Sequence, residues 1–139
     1  SLALREFLIN RARSFIFSTA AVPAAAAAAS AAIDILQGKE GDDRVRSLWE
    51  RVRQLQDGLN TDNPVLSPII PYIIGSEEQS LTFSQRLQNN RLLVPAIRYP
   101  SVPRGQARLR ITLSSDHSQD QVSKLIDAIH KIESTAKGS

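Results

Sequence analysis

The residues best suited to chemistry lie in one short segment, positions 107–114, where polar and apolar side chains alternate. The segment reads Ala107, Arg108, Leu109, Arg110, Ile111, Thr112, Leu113 and Ser114. Since strand side chains point alternately to opposite faces, the pattern predicts a strand with one apolar face and one cationic, hydroxyl-bearing face. Two guanidinium groups roughly 6.5–7 Å apart on that face suit a small anion such as a carboxylate. Taken alone, the pattern favours the other interpretation, the solvated outer face of a half-buried strand.

The segment before this strand must position it. Pro95, Pro100, Pro103 and Gly105 make a stiff, turn-rich approach that continues neither a helix nor a central strand. A constrained loop that leads into a strand with two arginines favours a binding site over a plain solvated face.

Three stretches of the chain resemble, in the same order, one family of enzymes. They are FIFSTA at 15–20, SPIIPYIIG at 67–75 and YPSVPRGQARLRITLSSDH at 99–117. The last resembles the C-terminal signature of the α-oxoamine synthases, pyridoxal-phosphate (PLP) enzymes that condense an amino acid with an acyl-CoA. The resemblance covers nearly the whole chain and implies the C-terminal part of a homodimeric, PLP-dependent acyltransferase.

The resemblance also implies roles for particular residues. Arg110 would bind the amino-acid carboxylate with Thr112 beside it, and Ser101 would lie near the acyl substrate. Ser18 and Thr19 would reach the cofactor phosphate of the neighbouring subunit. Within the family, the chain is most similar to the branch that condenses alanine with a pimeloyl thioester, of CoA or an acyl carrier protein, in biotin biosynthesis. A sister enzyme that joins glycine to acetyl-CoA remains an alternative.

A PLP enzyme needs a lysine to hold its cofactor as a Schiff base. The chain has four lysines: Lys39, Lys124, Lys131 and Lys137. None stands in a setting that resembles the family's cofactor-lysine motif, which precedes FIFSTA in relatives. We therefore expect no catalytic residue in this chain, and we expect the chain by itself to be inactive.

Composition sets limits on other functions. The 139 residues are 42% hydrophobic and 22% charged and contain no cysteine, which is typical of a cytoplasmic globular protein. A net charge of +3 suggests a basic α/β binding module as the non-enzymatic alternative, one that could meet nucleic acid. The arginines are interspersed with acidic residues, however, and no apolar run approaches a membrane span, so we expect neither nucleic acid nor membrane as a partner. No residues have the spacing of a metal site.

Periodicity predicts helices in the first half of the chain and a mixed pattern in the second. We expect a helix over 2–13, a brief strand at Ser14–Phe17, and Ser18–Thr19 directly before an alanine-rich helix at Val22–Gln37. Another helix follows from Asp42, and turn residues mark a boundary at 58–64. Strands are then expected at Ile69–Ile74, where Pro71 favours an edge, and at Leu92–Ile97. Serine capping boxes begin helices at Ser76 and Ser118.

These elements define the expected fold class. It is α/β (α+β), with a small, mostly antiparallel sheet covered by helices on one side. The resemblance implies that this is the C-terminal small domain of a fold-type I PLP enzyme, with the following domain boundaries. Residues 1–20 would end the large cofactor-binding domain, 21–60 would form connecting helices, and 61–139 would form the C-terminal subdomain.

Overall fold

A computed structural model describes residues 1–60 and 65–137. It divides into two compact units, one of residues Ser1–Gly41 and one from Asp42 onward. The elements are α1 Leu2–Arg11, α2 Arg13–Ile16, α3 Pro23–Leu36, α4 Lys39–Gly58, β1 Ile69–Gly75, α5 Glu77–Asn89, β2 Ala96–Ile97, β3 Ala107–Thr112 and α6 Gln119–Lys137. Of the turn predicted at 58–64, residues 61–64 lie outside the described ranges. No helix within those ranges is both long and apolar enough to cross a membrane.

The first unit confirms the two helices predicted for it but not the strand between them. The predicted strand at Ser14–Phe17 is wrong, because Arg13–Ile16 forms the short helix α2. The N–H groups of Ile16 and Phe17 donate to the carbonyls of Ala12 and Arg13 at 3.0 Å. A short apolar run has no decisive periodicity, and these local bonds satisfy the backbone without the neighbouring strand that a β-strand needs.

The second unit is built on a three-stranded antiparallel sheet in the order β1–β3–β2. Its central strand, β3, buries Ala107, Leu109 and Ile111 and turns the alternate residues away from the core. Side chains of α4, α5 and α6 complete the core on the buried face, among them Leu55, Leu87 and Ile129. A small sheet covered by helices on one side is therefore confirmed.

Pro71 and Gly75 occupy positions in β1 that suit their backbone properties. Pro71 lies on an edge strand, as predicted, where its missing N–H disturbs no ladder bond. The register between β1 and β3 shifts between Ile73 and Gly75. Gly75 has φ of +91°, a conformation that side-chain-bearing residues rarely adopt.

Of the two predicted capping boxes, the one at Ser118 is complete, whereas at Ser76 only the serine cap is present. The Ser118 hydroxyl accepts from the Gln121 N–H at 3.2 Å, and the Gln121 side chain accepts from the Ser118 N–H at 2.9 Å. At the start of α5, the Ser76 hydroxyl accepts from the Gln79 N–H at 3.4 Å. Each serine hydroxyl satisfies an N–H group that the first helical turn leaves without a partner.

The strand predicted at Leu92–Ile97 is shorter than expected, because only Ala96–Ile97 pairs with β3. The residues before Pro95 form hydrogen bonds with the end of α5 instead. Arg91 has a φ of +62°, and the N–H groups of Arg91 and Leu92 donate to the Gln88 and Leu87 carbonyls at 2.9 and 3.0 Å, as in a Schellman motif. The Ser84 hydroxyl then binds the Val94 carbonyl at 2.6 Å. These bonds hold the segment against α5 rather than against β3.

Candidate functional site

The two predicted carboxylate-binding residues share the solvent face of the sheet. Arg110 and Thr112 are exposed, whereas Leu109 and Ile111 between them are buried, which confirms the predicted alternation. Side chains directly opposite on paired strands share a face. The register with β1 places Arg110 opposite Pro71 and Thr112 opposite Ile69. The face therefore combines a guanidinium and a hydroxyl with apolar neighbours.

The two arginines of β3 differ in what they bind. Arg108 donates from Nε to the Gln106 carbonyl at 3.0 Å and from Nη2 to Gln106 Oε1 at 3.1 Å. The side chain of Arg110 makes no hydrogen bond or ion pair with any residue that the structure describes, although its backbone N–H donates to the Pro95 carbonyl at 2.9 Å. All five N–H donors of Arg110 are thus available for a planar anion, which a guanidinium can bind through two parallel hydrogen bonds.

Ser101 lies in the loop that joins β2 to β3. Its N–H donates to the Arg98 carbonyl at 3.0 Å, closing a turn that contains a cis Tyr99–Pro100 peptide bond. The Arg104 guanidinium packs over the Tyr99 ring with Cζ 4.4 Å from the ring centroid. Ser101 is exposed on this loop.

Ser18 and Thr19 lie between α2 and α3 in the first unit. The Ser18 hydroxyl donates back to the Ser14 carbonyl, and Thr19 is exposed with no partner among the described residues. Helix α3 begins only at Pro23, with Val22 as its N-cap. The helix therefore starts within one residue of the predicted position, but neither Ser18 nor Thr19 caps it. For the predicted phosphate contact, the pair therefore offers two exposed hydroxyl-bearing side chains and not the N–H groups of a helix N-terminus.

The other polar side chains of the described ranges include no candidate metal site. No group of three His, Asp or Glu residues there could hold a metal ion. His117 Nδ1 accepts from the Ser114 N–H at 2.9 Å, which closes the turn before α6. This ring nitrogen therefore has a structural partner.

Tyr72 connects β1 to helices α5 and α6 through one hydrogen bond and one ring contact. It thereby holds one side of the exposed face in place. Its hydroxyl donates to the Glu133 carboxylate of α6, and its ring meets Phe83 of α5 edge-on, with centroids 6.1 Å apart. Burial, followed by the hydrogen bond to Glu133 and its charge, raises the pKa of the Tyr72 hydroxyl well above its usual range. Sequence periodicity gave no sign of this pair, because its members lie 61 residues apart.

The chain belongs to the aminotransferase class I and II family, whose profile matches residues 1–129. It is 40% identical to the 8-amino-7-oxononanoate synthase of Bordetella petrii and 42% identical to that of Burkholderia cenocepacia. These alignments cover 94% and 96% of the chain but 34% of each relative. The chain therefore spans about a third of the length of the curated relatives it matches.

Solved structures share the fold. An 8-amino-7-oxononanoate synthase from Francisella tularensis matches with a TM-score of 0.75 and 26% identity, over 99% of this chain and 41% of that one. A serine palmitoyltransferase from Sphingomonas wittichii matches with a TM-score of 0.80 and 29% identity, over 91% and 33%. One from S. paucimobilis, solved with PLP and myriocin bound, matches at 0.83 with 23% identity, over 96% and 35%, and supports the fold alone. The resemblance to PLP enzymes of fold type I is confirmed.

Replacing Tyr72 with Phe should lower the free energy of unfolding by about 1 kcal/mol at neutral pH, because one hydrogen bond to a carboxylate is lost. Because the pKa of Tyr72 is higher in the folded state than in the unfolded state, its hydroxyl contributes its full stabilisation below the unfolded-state pKa of about 10. Above that pH the unfolded state ionises first, and the stabilisation is progressively lost. The difference between wild type and variant should therefore shrink above about pH 10. Urea unfolding followed by the fluorescence of Trp49, the only tryptophan, measures both effects.

The matched control is Tyr99→Phe, which keeps the ring beneath Arg104 and removes a hydroxyl with no partner among the described residues. It should leave the unfolding midpoint unchanged. A wild-type-to-Tyr72→Phe difference that stayed constant to high pH would show that the hydroxyl contributes nothing through its ionisation.

Proposed function

We propose that this chain forms the C-terminal part of a PLP-dependent acyltransferase that condenses alanine with a pimeloyl thioester, carried by CoA or an acyl carrier protein, in biotin biosynthesis. The new carbon–carbon bond forms as carbon dioxide and the carrier thiol are released. The family and the names of the 36–42% identical relatives support this proposal. The observation that carries it is the unpaired, exposed guanidinium of Arg110.

In this proposal Arg110 binds the carboxylate of the amino acid. Two parallel N–H donors fix the plane of the carboxylate, and Thr112 offers a hydroxyl on the same face. Ile69 and Pro71 lie opposite Thr112 and Arg110 on β1 and provide apolar neighbours on the same face. Holding the carboxylate fixes which bond to Cα can break, while Ser101 is proposed to lie near the acyl substrate.

The cofactor supplies the electron sink for carbanion chemistry when it is bound. We propose that Ser18 and Thr19 bind its phosphate in the site of a second subunit, which makes the enzyme an obligate homodimer. In the same proposal residues 1–20 belong to the cofactor-binding domain, 21–60 connect the domains, and 61–139 form the C-terminal subdomain.

Replacing Arg110 with Lys in the full-length enzyme should raise the KM for alanine about 10–100-fold, because an ammonium keeps the charge but loses the two-pronged geometry. The PLP absorbance spectrum should not change. Steady-state kinetics with alanine and pimeloyl-CoA measure the effect, and parallel assays with glycine and acetyl-CoA test the sister activity.

Arg108→Lys is the matched control, since it alters the same side-chain type two residues away on the same strand. Its guanidinium is already held by Gln106, so its KM for alanine should stay within about 3-fold of wild type. A silent Arg110→Lys with a damaging Arg108→Lys would reverse the assignment.

The proposed sharing of sites predicts complementation between two inactive chains. One chain carries Thr19→Ala and the other lacks the Schiff-base lysine. If Thr19 serves the partner's cofactor, a mixed dimer holds both lesions in one site and leaves the other intact. Co-expressed, differently tagged chains should therefore show activity above that of either parent. Activity no higher than the parents' would mean that Thr19 serves its own subunit.

We further propose that none of the four lysines of this chain holds the cofactor. Lys39 lies at the exposed start of α4, and Lys124 and Lys131 are exposed on α6. Borohydride reduction of the PLP-loaded, full-length enzyme followed by peptide mapping should label a lysine outside this set. Stoichiometric labelling of any of the four, together with turnover by the chain itself, would contradict the proposal.

A further inference from the structure

The loop that joins β2 to β3 consists of two successive turns. The first is closed by the Ser101 N–H, which donates to the Arg98 carbonyl at 3.0 Å. The second is closed by the Gln106 N–H, which donates to the Pro103 carbonyl at 3.1 Å. Only Val102 lies between them, and the proline after it confines its backbone to the broad extended region, which leaves the angle between the turns open. No hydrogen bond between described residues joins one turn to the other.

One side-chain contact connects the two turns. Arg104, in the second turn, places its guanidinium over the ring of Tyr99, in the first, with Cζ 4.4 Å from the ring centroid. The face of an aromatic ring attracts a cation within about 6 Å, and a planar guanidinium can stack on it. Both residues are exposed, and neither side chain makes a hydrogen bond or an ion pair with a described residue. The stacked pair therefore braces one turn against the other.

The charge pattern of the sequence leaves Arg104 without a nearby acidic residue. Residues 91–115 contain five arginines and no Asp or Glu, and β1 carries no charged side chain. In these segments no carboxylate competes with the ring for the guanidinium, and the other cations repel it. Without the Tyr99 ring, neither segment offers Arg104 an attractive partner. The position of the second turn relative to the first thus depends on Tyr99.

We propose that Arg104 and Tyr99 are positioning residues for the acyl substrate, because their contact fixes the loop in the shape that presents Ser101 to the acyl chain. The inference rests on the proposed function, in which Ser101 lies near that substrate. Ser101 follows Tyr99 by two residues and precedes Arg104 by three, so the contact spans it. A loop that is already ordered loses less conformational entropy when the thioester binds. The pair therefore acts on acyl binding through Ser101.

The stacked pair is separate from the proposed carboxylate site. Arg110 is held by the register of the sheet, opposite Pro71 of β1 and with its N–H bonded to the Pro95 carbonyl at 2.9 Å. Since a strand rises about 3.4 Å per residue, Ala107 lies roughly 10 Å from Arg110, and the loop lies beyond it. A change in the loop should therefore affect the acyl substrate and leave the amino acid unaffected.

The test is steady-state kinetics of the full-length enzyme with alanine and pimeloyl-CoA. Arg104→Gln and Tyr99→Leu should each raise the KM for pimeloyl-CoA about 2–5-fold, the range expected for an exposed cation–π pair, with the KM for alanine unchanged. The double variant should match either single variant, because both changes remove the same contact. Tyr99→Phe keeps the ring and should keep the wild-type KM. Arg53→Gln is the matched control, since it removes one exposed arginine of α4, outside the loop.

A second measurement follows the loop itself, without substrate. The Ser101 amide closes the first turn, so its hydrogen exchange should be about 2–5-fold faster in Arg104→Gln and in Tyr99→Leu than in the wild-type enzyme. The Leu113 amide, which donates to the Pro68 carbonyl at 2.9 Å, is the internal control and should exchange at the wild-type rate.

The kinetics are repeated with pimeloyl-pantetheine, a thioester that carries no phosphate, and the same fold-change in KM is expected. An Arg104→Gln effect that disappears with this substrate would show that Arg104 binds a phosphate directly, and it would overturn the positioning role. Additive effects in the double variant would show that the two residues act independently, which would also overturn it. A wild-type enzyme that fails to condense alanine with pimeloyl-CoA would refute the proposed function and this inference with it. Wild-type turnover with an unchanged KM in both single variants would refute this inference alone.

Discussion

The second unit depends on the burial of one strand. Leu109 of β3 is fully buried and pairs with Tyr72 on one side and Ala96 on the other. Because side chains alternate along a strand, burying Leu109 and Ile111 forces Arg110 to the opposite face. The position of the cation therefore follows from hydrophobic burial. A one-residue slip in register would place a guanidinium in the core, which makes the register strongly specified.

Neighbours, rather than residue type, distinguish the two arginines of this strand. Gln106 immediately precedes the strand and takes two donors of Arg108. Arg110 lies opposite Pro71, whose side chain can neither donate nor accept a hydrogen bond. An exposed guanidinium without a protein partner can exchange water for a carboxylate at little cost, whereas Arg108 would first have to release Gln106. This difference is the physical basis for proposing Arg110, rather than Arg108, as the carboxylate ligand.

The end of helix α5 has an effect beyond its own last turn. The left-handed residue Arg91 and the bonds of the Schellman motif direct the chain along α5, and Ser84 holds it there through the Val94 carbonyl. Pairing with β3 therefore starts only near Pro95. A local helix cap thus keeps residues 92–94 out of the sheet.

The sequence by itself determined the features that depend on local periodicity and local hydrogen bonding. These include the alternation around Arg110, the edge position of Pro71, the serine caps at Ser76 and Ser118, and the family motifs. Tertiary structure decided the rest, because long-range partners cannot be read from spacing. The apolar run at Ser14–Phe17 became helical without a strand to pair with. In the run at Leu92–Ile97, only Ala96–Ile97 forms a strand, because the first residues bond to α5. The Tyr72 hydroxyl bonds to Glu133, which lies 61 positions away in the sequence.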